Sequence, residues 1–391
     1  MKKGTKCTIC TGCGRCFGEF HKGTEILSFP DAEKEKLPLS SPAVLVDIGT
    51  TTIAMVMTGK DCSVKDSHAS LNPQGKYGAD VISRIRAAED PEILIDMRNM
   101  VLNEIKTGLD KFSAHPEFED CEIYISANTT MTYLLRGLNP ESLGKAPFTA
   151  DHISEDFLQI SSSGKEFKAR ILPGFSAFVG SDIYAGVLAS KLCTSGKYRL
   201  LCDLGTNGEI ALGNKDHLYV TATAAGPAFE GGPCKGIWGA DMIGLTSRLL
   251  KGGYMDSTGL LKDPYFDEGI DIGSVHITQD SVRALQLAKG AVYAGIKIIC
   301  ERASVSLDSV DEVILAGGFG YFLKPSDASS IGLIPGQLTA KCTSGGNTSL
   351  KGALHYAAGE RVPAGPEIIN LAEDPAFNDL YMNALNFPKF L

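Results

Sequence analysis

No run of apolar residues in this 391-residue chain reaches the length of a membrane span, and the opening stretch "MKKGTKCTIC" lacks the apolar middle of a signal peptide. A basic stripe is missing too. The formal net charge is −9 and the acid excess is spread along the chain, which argues against a nucleic-acid partner. The seven histidines form no metal-binding pattern. These absences lead to the expectation of a cytoplasmic protein that works neither on nucleic acid nor in a membrane. The cytosol keeps thiols reduced, so the eleven cysteines are poor disulfide material. Apolar residues make up 43% and charged ones 21%, ordinary values for a globular chain.

What is present changes character along the chain. Residues 1–28 form a Cys- and Gly-rich segment, and residues 29–42, "FPDAEKEKLPLSSP" at their core, read as a linker without apolar periodicity. From Ala43 the pattern is α/β, with a first half at 43–195 and a second at 196–391. "AVLVDIGTTTIAMVM" reads as a strand, a tight Gly-Thr hairpin and a second strand, and "RLLCDLGTNGEIALG" repeats it about 156 residues later. "EIYISAN" and "EVILAGG" each end a strand at matching places in the two halves. The duplication predicts a cleft between the halves, where small ligands usually sit. "TQDSVRALQLAKGAVYAGIKIICERA" predicts a long helix, with capping candidates at Thr278 and Asp280, packed in the interdomain core; the Gly- and Asp-rich stretch before it reads as loops.

Each hairpin carries what a phosphate site needs. Glycine lets the backbone approach closely and aims N–H donors, threonine adds hydroxyls, and the aspartate can hold Mg²⁺ through its waters. A single such hairpin is most often an ordinary turn; two in register are a stronger signal. The combination resembles the actin, sugar kinase and heat-shock chaperone ATPase superfamily, whose fold is duplicated and ribonuclease H-like with an interdomain cleft. On that resemblance Asp47, Gly49, Thr50 and Thr51 match a first phosphate loop, and Asp203, Gly205, Thr206 and Asn207 a second. Gly317 and Gly318 match the adenosine turn, and Gly226 joins the nucleotide-binding set. The superfamily orients its attacking water with a polar residue. Asp182, at a helix start where it is equally an N-cap candidate, is one choice, with Glu209 and Glu230 as rivals.

"NPQGKYGADVISRI", "AAGPAFEGG", "IGLIPG" and "GGNTSLKGA" narrow the likeness to the reductive activators of corrinoid proteins. That resemblance implies an iron–sulfur protein that uses ATP and Mg²⁺ to pass low-potential electrons to the Co(II) corrinoid of a methyltransferase partner, restoring Co(I). A separate low-potential donor would reload it. The chain departs from the family at its front, where the family pattern is a plant-type 2Fe–2S domain of nearly a hundred residues.

Cys7, Cys10, Cys13 and Cys16 run C-x2-C-x2-C-x2-C. A 4Fe–4S cluster suits the first three spacings, and its fourth ligand is either Cys16 or a cysteine from elsewhere, a second subunit of a homodimer included. Zinc is the competing reading, but zinc knuckles separate two Cys pairs by a longer loop. Cys202 in a strand and Cys300 in a helix read as buried small residues, and Cys234 as the one further thiol of interest. "DSHASL" begins like a corrinoid-binding D-x-H-x-x-G, yet Leu71 stands where the glycine belongs, so the corrinoid is expected on the partner. Three rivals remain at this point: an activator of a 2-hydroxyacyl-CoA dehydratase-type enzyme, a small-molecule kinase of the same superfamily, and a structural or chaperone ATPase with a zinc tip.

Overall fold

The structure is a computed structural model that describes residues 37–205, 207–224, 239–272, 275–317, 320, 323–363 and 365–389. The Cys7–Cys16 run and the linker up to residue 36 lie outside them, as do Thr206, Gly226, Glu230, Cys234 and Gly318.

The first half is built on β1 (Ala43–Ile48), β2 (Thr52–Thr58), β3 (Val64–Leu71), β4 (Glu122–Ala127), β5 (Asp156–Ser162) and β6 (Lys165–Ile171), with α1 (Val81–Ala87), α2 (Pro91–Phe112), α3 (Thr129–Arg136), α4 (Glu141–Gly144) and α5 (Ser181–Ala189). The second carries β7 (Tyr198–Leu204), β8 (Gly208–Gly213), β9 (Leu218–Thr223), α6 (Gly239–Lys251), α7 (Tyr265–Glu268), β10 (Ile270–Ile272), β11 (Val275–Ile277), α8 (Gln279–Arg302), β12 (Val310–Ala316), α9 (Pro325–Ser330), β13 (Cys342–Gly346), α10 (Thr348–Ala357), β14 (Glu367–Ile368) and α11 (Phe377–Leu385).

The duplication is explicit in the sheets. Their orders are β3-β2-β1-β4-β6-β5 and β13-β12-β7-β8-β9-β14. In the first, β1 pairs antiparallel with β2 and β2 with β3, while β4 runs parallel to both β1 and β6. In the second, β7–β8 and β8–β9 are antiparallel, and β12 is parallel to β7 and β13. The expected duplicated, actin-like α/β fold is therefore present, with β1 corresponding to β7, β2 to β8 and β4 to β12.

The near-continuous apolar runs have a simple cause: both faces of each sheet are covered. Val44, Val46 and Ile48 face α2, whose Met97, Val101, Ile105 and Leu109 recur at helical spacing. Leu45 faces the other way, onto Leu350 and Leu354 of α10. In the second half Leu200, Cys202 and Leu204 join a core with α6 and α8, while Leu201 turns to Ile183 and Val187 of α5. Helix α5 thus rests on the second sheet and α10 on the first, and the two helices cross between them.

That crossing corrects one expectation. Helix α8 packs within the second half, against β8, β9 and α11, and the seam between the halves is made by α5 and α10. Thr278 caps α8 in a capping box with Ser281, and Asp280 lies in the first turn instead. The supposed loops before α8 contain the short helix α7 and the β10–β11 hairpin. The end of the supposed linker is not loose either. Leu37 and Leu39 pack on the seam core formed by α5 and α10, and the Leu37 carbonyl accepts from the Cys62 thiol at 3.6 Å. Cys202 and Cys300 are buried, as their positions suggested. Among the described residues no helix is long and apolar enough to cross a membrane.

Candidate functional site

Each Gly-Thr hairpin follows a strand and closes on its own backbone. The Gly49 N–H closes the first on the Thr52 carbonyl at 2.9 Å, and the Gly205 N–H closes the second on the Asn207 carbonyl at 2.9 Å. The first is braced from outside. The Asn72 side chain donates to the Gly49 carbonyl at 2.8 Å, the Asn72 backbone N–H donates to the Thr51 carbonyl at 2.8 Å, and Asn128 donates to the Thr50 hydroxyl at 3.1 Å. Asn72 begins the "NPQGKYGADVISRI" stretch, so this stretch holds the turn in shape. Neither asparagine was identified from sequence as a site residue; Asn128 also caps α3, which is the role its position before a helix signals.

Gly317 completes the second-half side. Its φ is +86°, and a Cβ there would fall 2.4 Å from the Leu204 carbonyl oxygen and 2.6 Å from Oδ1 of Asp203. Only glycine lets the turn after β12 lie directly against the second hairpin.

The aspartates converge. Asp47 is the penultimate residue of β1 and Asp203 of β7, Glu209 lies opposite Asp203 across the β7–β8 pair, and Asp182 sits in the first turn of α5. Helix α5 is anchored to the first sheet by Ser181, whose hydroxyl accepts from the Ala127 N–H at 2.9 Å and donates to its carbonyl at 3.0 Å. Gly180, not Asp182, is the N-cap, and the Asp182 carboxylate only meets the neighbouring Ile183 N–H at 2.8 Å. Asp182 is thereby released from capping and faces the other carboxylates.

The electrostatics follow from that crowding. Burial, then Asp203 and Asp47, push the Asp182 carboxyl well above the usual range. Burial and Asp47 raise Asp203 to about 7, against a weak opposing bond from Thr348. Glu209 is raised by burial, Asp182 and Asp203, with Asn207 bonding its charged form. Asp47 is raised by burial, opposed by Asn347 and Ser349. A group of mutually repelling carboxylates with no cation among the causes of their shifts is a site that gains from a positive ion. Among the described residues no three His, Cys, Asp or Glu side chains approach closely enough to hold a metal directly.

Sequence reasoning missed Asn347, Thr348 and Ser349, which lie within the quoted "GGNTSLKGA" at the start of α10. Asn347 donates to Asp47 at 2.8 Å and Ser349 donates to Asp47 at 2.8 Å. The available signal was the Asn-Thr-Ser run before a helix, which by itself reads only as a cap. In the "DSHASL" stretch, His68 bonds Glu104 at 2.7 Å and Asp66 pairs with Lys111 at 2.8 Å, so both are engaged within the first half.

Known proteins share this architecture. The family described as "RACo middle region" matches residues 43–195, and "C-terminal domain of RACo the ASKHA domain" matches residues 197–236 and 233–390. A Eubacterium limosum protein named "Corrinoid activation enzyme RamQ" is 30% identical over 437 residues, covering 92% of this chain and 72% of its own. A Methanosarcina barkeri protein named "[Co(II) methylated amine-specific corrinoid protein] reductase" is 23% identical over 233 residues, covering 46% of this chain and 42% of its own. A solved structure titled "Reductive activator for corrinoid,iron-sulfur protein" superposes with a TM-score of 0.77 at 28% identity, over 89% of this chain. The chain spans 66% of that structure's length.

Proposed function

This chain belongs to the RACo family, and from that membership we infer that it is a reductive activator of a corrinoid protein, returning the Co(II) corrinoid of a methyltransferase system to Co(I). The relatives' names favour this reading over the dehydratase activator and the small-molecule kinase. The observation that carries the energy source is the delivery of two equivalent hairpins, each with its aspartate, to one cleft.

In this reading the backbone donors of Gly49–Thr51 and Gly205–Asn207 receive the phosphates of ATP, and Gly317 with Gly318 receives the adenosine. Thr206 and Gly226 extend the same set. Asp47 and Asp203 would hold Mg²⁺ through its waters, which suits an ion that keeps its hydration. Bound there, Mg²⁺ supplies charge neutralisation of the phosphates. Asp182, freed from capping and pushed toward its protonated form, is the residue best placed to orient the attacking water, with Glu209 behind it and Glu230 as the remaining candidate.

Cys7, Cys10 and Cys13, with Cys16 or another cysteine as fourth ligand, would hold a 4Fe–4S cluster, which would supply one-electron reduction of the partner's cobalt. A one-electron gap of roughly 300 mV corresponds to about 7 kcal/mol, of the order that ATP turnover can offset. The offset requires nucleotide and acceptor to bias the same two-state element, and the cleft between the halves is that element.

The test mixes reduced protein, Mg²⁺–ATP and a corrinoid protein without oxygen and follows the Co(II) to Co(I) spectrum. Reduction is expected only with ATP. The same rate and extent without it would overturn the coupling, and activation of a dehydratase in its place would overturn the choice of partner. A second result is expected from iron and sulfide assays on Cys→Ala variants. Cys7, Cys10 and Cys13 variants should each lose the cluster, and a full cluster in all of them would remove the assignment.

A further inference from the structure

Asp47 and Asp203 belong to different halves, yet a single three-residue stretch meets both. Asn347 Nδ2 donates to Oδ2 of Asp47 at 2.8 Å, and Ser349 Oγ donates to Oδ1 of the same carboxylate at 2.8 Å. Each oxygen has its own donor, so the plane of the carboxylate is fixed. Between these two residues, the Thr348 hydroxyl reaches toward Oδ2 of Asp203 at 3.5 Å. Ser349 is itself supported. Its Oγ also lies 2.7 Å from the Ser126 Oγ, which donates to the Val46 carbonyl at 3.3 Å. Ser126 lies beside Asp47 in the β1–β4 register, and both serines are buried.

We propose that Asn347 and Ser349 are positioning residues of the nucleotide site, which aim the Asp47 carboxylate at the cation while Thr348 ties the same helix end to Asp203. The proposal rests on the ATP reading above. The titratable groups facing Asp47 are carboxylates, Asp182 on α5 and Asp203 on β7, with Glu209 of β8 behind them. Left to itself, a carboxylate so surrounded would rotate away from its neighbours. Two donors hold it in place and use only one lone pair on each oxygen, leaving the others for a hydrated ion. Asn347 has a second occupation, since its side chain accepts from the Leu350 N–H at 2.8 Å and caps α10. Ser349 caps nothing, so it separates positioning from helix stability.

The experiment titrates the full chain with ADP by calorimetry, once with Mg²⁺ and once with a chelator. Ser349→Ala is expected to weaken Mg²⁺-dependent binding about tenfold. Metal-free binding should stay within about twofold of the parent's. Ser349→Thr, which keeps the hydroxyl, should restore the Mg²⁺-dependent affinity. In an Asp47→Asn background, Ser349→Ala should cost nothing further, because its partner is already gone. Equal losses with and without Mg²⁺, no loss at all, or a full additional loss on top of Asp47→Asn would each overturn the proposal. Failure of the unaltered chain to bind Mg²⁺–ADP would overturn the ATP reading, and this inference with it.

Discussion

Asp203→Asn is expected to lower ATP hydrolysis by ~10²-fold or more, the loss typical when a group aimed at developing phosphate charge is removed. In Mg²⁺-free buffer at pH 8 the same variant should be more stable than the parent. The two effects have one source. Burial and Asp47 raise the folded-state pKa of Asp203 to about 7, whereas an unfolded aspartate titrates near 4. Between those values the folded chain binds the proton that the unfolded chain has released, so the parent loses stability as pH rises through this window. Above pH 7 the loss is complete and amounts to the order of a few kcal/mol, which an uncharged asparagine does not incur. The stability gain of the variant should therefore shrink as pH falls from 7 toward 4, and shrink again in the parent's favour when Mg²⁺ is added. Unchanged hydrolysis in Asp203→Asn would remove this residue from the site.

Gly352→Ala is expected to destabilise the whole molecule. At most helix positions alanine improves on glycine by roughly 0.8–1 kcal/mol. At Gly352 a Cβ would fall 1.8 Å from the Ala185 carbonyl oxygen of α5, which is backbone and cannot swing aside. Forcing the two helices apart costs on the order of 3 kcal/mol, so the loss exceeds the propensity gain and the thermal midpoint should fall by roughly 2–4 °C. Gly244→Ala on α6 is the control. There the nearest atom stands 3.5 Å from the added carbon, an ordinary contact, so a small gain is expected. A Gly352→Ala protein that melts with its parent would refute the close crossing of α5 and α10.

The parts of this architecture that were readable in sequence are those with local causes. β1 and β7 announced themselves because strands buried on both faces need unbroken apolar runs, and the Gly-Thr turns close on their own backbones. The helix start at Asp182 was readable from its pattern, whereas its place in the first turn behind the Gly180 cap was not. The seam was not. Helix α8 spans Gln279–Arg302 with apolar residues at helical spacing, but a periodic apolar face does not say which sheet covers it. Asn347 and Ser349 were invisible as site residues because their partner, Asp47, lies about 300 residues earlier in the chain. Such a contact exists only after both sheets have formed.

Leu37 and Leu39 set a boundary condition on electron delivery. Because they are seated on the seam core, the cysteine run is tethered to a known point of the two-sheet body, and 20 residues lie between Cys16 and Leu37. Covalent geometry limits that span to about 70 Å at full extension. An acceptor docked inside this radius meets the cysteines at a tethered effective concentration, not at the bulk concentration of a second solute. Once the complex has formed, the rate of cobalt reduction should therefore be independent of protein concentration. A cysteine segment severed ahead of Leu37 and added back in trans should restore reduction only in proportion to the amount supplied.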